Sequence, residues 1–169
     1  MNLRWWSCIA LVACALCAPA CKSDNNDNNN SNGGGAGTGG TPTAVANLTG
    51  FMGGTVTGTA TFTQAANGVT VVVALQNCPD GAHGVHIHQG TSCESADTQG
   101  GHWDMTRGEG IPDVMCTGGM GTSTLTRPAT DPTLAWNVGG DAATNVIGHA
   151  FVVHGDMGVR IGCGIISMQ

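Results

Sequence analysis

The sequence predicts an all-β domain, an antiparallel sandwich or barrel of about six to eight short strands. Three observations carry that expectation. Runs rich in Val, Thr and Ile recur roughly every ten residues between Ala44 and Gln169. Turn-forming residues separate them, and no stretch keeps a helical periodicity long enough to pack as a helix. The chain has 28 glycines and only 9 % charged residues, a composition suited to many tight turns between half-buried strands.

Each element has its own signal. Thr55–Thr63 alternates with period two, broken once by Gly58. Asn67-Gly68 marks a two-residue hairpin, and Val69–Leu75 is its return strand. Asn77-Cys78-Pro79-Asp80-Gly81 reads as a turn into a strand over His83–Gln89. Thr122–Thr126, Val146–His154 and Val159–Ser167 supply further strands, with turns at Arg127-Pro128 and Asp131-Pro132. No second folded domain and no internal repeat is visible.

The N-terminal residues read differently. Arg4 precedes an apolar run from Trp5 to about Cys17, too short to cross a bilayer but suited to the core of a secretory signal. Ala18-Pro19-Ala20-Cys21 resembles a bacterial lipoprotein cleavage box, so residues 1–20 are expected to be removed and Cys21 lipidated. Leu11-Val12-Ala13-Cys14 fits the box by letter but leaves a short apolar core; ordinary signal cleavage nearby is the alternative. Residues 21–43 are expected to be a tether, because Asn, Asp, Ser and Gly cannot bury enough surface to offset ordering. The folded domain, residues 44–169, is then exported. Its only expected membrane contact is the lipidated N-terminus, which would anchor it at the cell envelope (periplasm or outer membrane), with a free periplasmic protein as the alternative. Lys22, where an aspartate would retain the protein at the inner membrane, favours the outer one.

Four cysteines, Cys78, Cys93, Cys116 and Cys163, lie in the folded domain. In a small exported domain an even count implies two disulfides, with three pairings open. The domain carries three arginines, no lysine and nine acids, a formal −6 that excludes nucleic acid as a partner.

The chemistry lies in the histidines. His86 and His88 stand two apart on a strand, so their rings project from one face and can share a metal ion. His102 sits in the glycine-rich stretch Gln99-Gly100-Gly101-His102-Trp103-Asp104, and His154 ends the apolar run Ala150–Val153. His83 is out of phase with His86 and His88, and His149 with His154, so these two are expected to be structural. Met105, Met115, Met120 and Met157 are expected to pack rather than bind metal.

Four segments, in order, resemble the copper/zinc superoxide dismutases. Gly81-Ala82-His83-Gly84-Val85-His86-Ile87-His88 resembles their copper-binding strand, and Gly100-Gly101-His102-Trp103-Asp104 the loop of their metal-bridging histidine. Val146–His154 is similar to the strand ending in their last copper histidine, and Val159–Ile166 to their C-terminal strand with its arginine and cysteine. The resemblance implies a Greek-key β-sandwich or barrel of about eight strands. It implies an oxidoreductase that dismutes superoxide to dioxygen and hydrogen peroxide at a redox copper. His86, His88, His102 and His154 would hold the copper, and Arg160 would attract the superoxide anion. Cys93 would pair with Cys163, which leaves Cys78 and Cys116 for a second bridge.

The departures sharpen the reading. The family's zinc site needs two histidines and an aspartate after the bridging histidine, yet residues 103–114 contain no histidine. The aspartate position falls on Gly110, or on Glu109 if one residue is inserted. Stable zinc sites use four ligands, so zinc is expected to be absent. Only five residues separate His154 from Arg160, so the charged loop of the family is nearly gone. This pattern resembles the copper-only branch, with an open site and, as some of that branch allow, a monomer. Without zinc the second nitrogen of His102 needs another partner, and Glu109 is the candidate, with Asp104 and Asp113 behind it. With so acidic a domain, steering of an anion must come from Arg160, and from Arg107 if its loop turns inward. Two rival readings remain: a copper-buffering protein of the same fold, against which Arg160 argues, and a three-histidine hydrolytic zinc site, which lacks a visible general base.

Overall fold

The computed structural model describes residues 40–169. The expectations for residues 1–39, lipid attachment at Cys21 included, lie outside the described residues. Among the described residues nine strands follow in order: β1 (Thr43–Gly50), β2 (Thr57–Ala65), β3 (Gly68–Gln76), β4 (Gly81–His83), β5 (Val85–His88), β6 (Val114–Cys116), β7 (Met120–Pro128), β8 (Ala150–His154) and β9 (Arg160–Met168). Among the described residues, helix is confined to one α-turn, α1 (Ala96–Gln99), and two short 3-10 turns.

Seven strands form one antiparallel sheet in the order β5-β8-β9-β1-β2-β3-β7, while β4 and β6 pair separately. Ile87 of β5 and Val71 of β3 come from opposite halves of that order, yet both lie in one buried cluster with Phe62, Phe151 and Ile166. The sheet therefore curls around a single core, as the antiparallel all-β expectation requires. At its centre Phe62 meets Trp136 and Phe151 edge to face, with ring centroids 5.8 and 6.1 Å apart.

Several expectations are corrected. The strand expected over His83–Gln89 is broken at Gly84, because β4 pairs with β6 while β5 pairs with β8. The hairpin loop is Ala66-Asn67, not Asn67-Gly68. Gly68 opens β3, and glycine is needed there because a Cβ would stand 1.9 Å from the Arg127 carbonyl oxygen. Val146–His149 is not strand: Gly148, at φ +89°, turns the chain just before β8. Arg127-Pro128 is not a turn but the end of β7, with Arg127 buried opposite Val69. The four methionines do not pack. Met105, Met115, Met120 and Met157 are all exposed, Met157 almost completely at 99 %, while Val, Ile and Phe fill the core. β1 and β6 add to the expected strands.

Both disulfides are formed. Cys78–Cys116 ties the turn before β4 to β6, and Cys93–Cys163 ties the loop after β5 to β9, with Cα–Cα distances of 6.2 and 5.8 Å.

Candidate metal centre

Strand alternation puts Val85 and Ile87 into the core and turns His86 and His88 the other way. β8 runs antiparallel alongside, with Val153 opposite Val85, so His154 arrives at the open end of the pair. The register with β9 slips between Val153 and His154, an irregularity of the kind that re-aims a side chain beside a site. His102 is brought in by a bridge between its own backbone and that of His88. All four rings converge, with His86 stacked on His102 at 4.3 Å and His88 on His154 at 5.4 Å between centroids.

The ring nitrogens suit a metal ion. His88 Nδ1 donates to the Gly100 carbonyl at 2.9 Å, and His154 Nδ1 to the Gly158 carbonyl at 3.0 Å. Each proton therefore sits on Nδ1, and the two Nε2 lone pairs face each other at 3.2 Å. Facing lone pairs repel unless a cation lies near them. His86, His102 and His154 can each present a nitrogen within 4.8 Å of the other two. His86 Nδ1 is buried without a hydrogen bond; the Glu109 carboxylate is 3.1 Å away but out of line. An all-imidazole set of this kind fits copper well.

Glu109 accepts a hydrogen bond from His102 Nδ1, which fixes the proton there and leaves Nε2 as the ring's lone-pair nitrogen. Burial alone would raise the Glu109 carboxyl. The His102 hydrogen bond and the nearby His86, His102 and His154 outweigh that effect and hold it below the usual range. Asp113 lines the cavity, whereas Asp104 is engaged by Arg107. Arg107 donates also to the Pro132 carbonyl at 2.9 Å, so its guanidinium is committed there rather than turned inward to steer an anion. The cavity, about 620 Å³, is bordered by His86, His102, His154, Asp113, Asp156 and Arg160. Arg160 is held there by the Ala96 and Gly100 carbonyls and by Gln99 Oε1. Gln99 is fully buried, and its role escaped the sequence because nothing marks it apart from the polar residues around it. His83 and His149 are elsewhere: His83 lies between the Pro79 and His154 carbonyls, and His149 donates to the His88 carbonyl and stacks on Trp103.

Burial pushes His88 down to about 4, against the opposing pull of its Gly100 hydrogen bond. In the unfolded chain the ring keeps its ordinary value of 6.5. Below 6.5 the unfolded chain thus takes up a proton that the folded chain refuses. The stability His88 confers on the copper-free protein is complete above 6.5 and is lost as pH falls toward 4, by roughly 3 kcal/mol. His86, His149 and His154, each lowered chiefly by burial, act in the same direction. The thermal midpoint of the copper-free protein is expected to fall steadily across this window; a flat profile would contradict the burial argument.

The family model of copper/zinc superoxide dismutase (SODC) matches residues 56–166. The Cu-Zn superoxide dismutase of Neisseria meningitidis serogroup A is 30% identical over 138 residues, covering 65% of this chain and 73% of that protein. That of Haemophilus parainfluenzae is 29% identical over 138 residues, with 65% and 73% covered. Among solved structures, superoxide dismutase 5 of Candida albicans in its Cu(II) form superposes with a TM-score of 0.59 at 19% identity, covering 76% of this chain and 93% of that one. Fold, motif order and relatives agree: the chain belongs to the copper/zinc superoxide dismutase family.

Proposed function

We propose that this superoxide dismutase is exported and works with a single copper and no zinc. His86 through Nδ1, and His88, His102 and His154 through Nε2, would hold the ion. Bound there, copper supplies one-electron redox chemistry between Cu(II) and Cu(I). One observation carries the single-metal reading: His102 Nδ1, the atom a bridging imidazole would turn toward a second metal, is taken by Glu109. The two remaining histidines, His83 and His149, are both engaged with backbone carbonyls. Glu109 fixes the His102 proton, and Arg160 offers a positive charge at the mouth of an otherwise acidic domain. Reconstitution with equal copper and zinc is expected to give one copper per chain and little zinc. Stoichiometric zinc would overturn the single-metal reading.

Two substitutions probe the roles. Glu109→Gln keeps the shape but loses the charge, and is expected to cost about 10–100-fold in copper affinity or turnover, the usual penalty for losing a ligand's outer partner. Unchanged kinetics and affinity would remove the role. Arg160→Met is expected to lower kcat/KM about tenfold and to flatten its dependence on ionic strength, since local steering is lost. An Arg160→Met variant with the wild-type salt profile would show that the steering charge lies elsewhere.

Export rests on the N-terminal signals, and two disulfides suit an oxidising compartment. With Cys21 as the lipid site, Cys21→Ser is expected to release the protein from the membrane fraction into the soluble periplasm. A variant that stayed on the membrane would show that Cys21 is not the anchor.

A further inference from the structure

The segment from Arg107 to Glu109 is anchored at each carbonyl. The Arg107 carbonyl accepts from Trp136 Nε1 at 2.9 Å, and the Gly108 carbonyl from the Ile87 backbone N–H at 3.1 Å. The Glu109 carbonyl accepts from the Arg127 guanidinium. The donors come from three separate places: the chain before β8, the strand between the two copper-strand histidines, and the end of β7. Gly108 fits because a Cβ would stand 2.2 Å from the Ile87 carbonyl oxygen.

Arg127 is the unusual donor. It occupies an inward position of β7, where an apolar residue would fill the space, and is only 8 % exposed. Burying a guanidinium is costly unless it is paired. Among the described residues no carboxylate lies within ion-pair distance of it, and its Nε is buried without a partner. What it does have is the Glu109 carbonyl and the face of Trp136, 5.3 Å from ring centroid to guanidinium carbon. Trp136 is itself 2 % exposed and packed on Phe62. The next residue makes room: at Gly110, with φ +73°, a Cβ would stand 2.9 Å from Arg127 Nη2.

We infer that Arg127, seated on Trp136, is a positioning residue for Glu109: it fixes the main chain from which the carboxylate reaches His102 Nδ1. It acts on the site without touching a histidine. The inference rests on the reading of Glu109 as the partner of His102.

The test uses Arg127→Met, Glu109→Gln and the double variant of the whole protein, with ¹⁵N spectra of the copper-free form reporting which nitrogen of His102 carries the proton. Copper affinity is measured by chelator competition. In the wild type the His102 proton is expected on Nδ1. Arg127→Met is expected to shift the ring to a mixture of tautomers and to weaken copper about tenfold. In the Glu109→Gln background, Arg127→Met is expected to add less than about twofold, because both act through one carboxylate. Should Arg127→Met fail to fold, Gly110→Ala keeps the arginine and crowds its guanidinium away from the carbonyl, with the same expected readouts. A folded Arg127→Met or Gly110→Ala protein with the wild-type His102 spectrum and affinity would overturn the inference. So would an effect that adds in full to that of Glu109→Gln. If Glu109→Gln itself changes neither readout, the reading of Glu109 falls. If Glu109 responds and Arg127 does not, only the positioning role is lost.

Discussion

Replacing His154 by alanine is expected to weaken copper binding by more than about a hundredfold and to abolish dismutation in proportion. The magnitude follows from what the ring does. Its Nδ1 is committed to the Gly158 carbonyl, so its Nε2 is held as a lone pair 3.2 Å from that of His88. Losing an outer partner of a metal ligand costs about 10–100-fold, and losing a pre-aimed ligand costs more. The remaining three rings would still offer a site, which is why affinity and rate have to be read separately. Copper competition and a superoxide assay on folded His154→Ala protein check the expectation. Full activity in that variant would overturn the ligand assignment.

The second large effect is at the Cys93–Cys163 bridge. Removing it through Cys93→Ser with Cys163→Ser is expected to cost about 2–5 kcal/mol of stability. The cost extends beyond unfolded-chain entropy, because the bridged loop carries what the site depends on. Cys93 lies between His88 and His102. The same loop supplies the Gly100 carbonyl that fixes His88 and, with Ala96 and Gln99, the groups that hold Arg160. Denaturant midpoints are therefore expected to fall together with copper affinity and kcat/KM. The Cys78–Cys116 bridge lies by β4 and β6 and touches none of these groups, so Cys78→Ser with Cys116→Ser is expected to reduce stability while sparing affinity. Equal loss of affinity in both double variants would show that the bridges act only through global stability.

The fold class and the His86–His88 pair were legible because they rest on local rules, whereas His102 and His154 joined them through the resemblance of their segments to the family. Period-two alternation places His86 beside His88. Phase sets His83 and His149 apart only on regular strands, whereas the strand breaks at Gly84 and β8 begins only at Ala150. Hydrogen bonds to backbone carbonyls hold these two rings elsewhere. What was not legible depends on contacts across the fold. The break at Gly84 arises because two neighbouring segments pair with different strands, which no local pattern records. Gly68 looked like a turn residue but is required by the close approach of β7. Arg127 looked like turn punctuation before a proline, and only the curled sheet reveals it as a buried donor over Trp136. Gln99 carries no local mark at all. Glu109 could be nominated from the missing zinc histidines, but the anchoring of its main chain could not. The exposed methionines show the limit of composition: with valine so abundant, the core had no need of them.

The most direct test of the central claim is metal content together with superoxide dismutation rate, measured on protein extracted from the periplasm or cell envelope. One copper per chain with dismutation approaching the diffusional ceiling of about 10⁸–10⁹ M⁻¹s⁻¹ is the expected result. Copper with a negligible rate would make the protein a copper buffer built on the same fold, and zinc in place of copper would contradict the copper centre altogether.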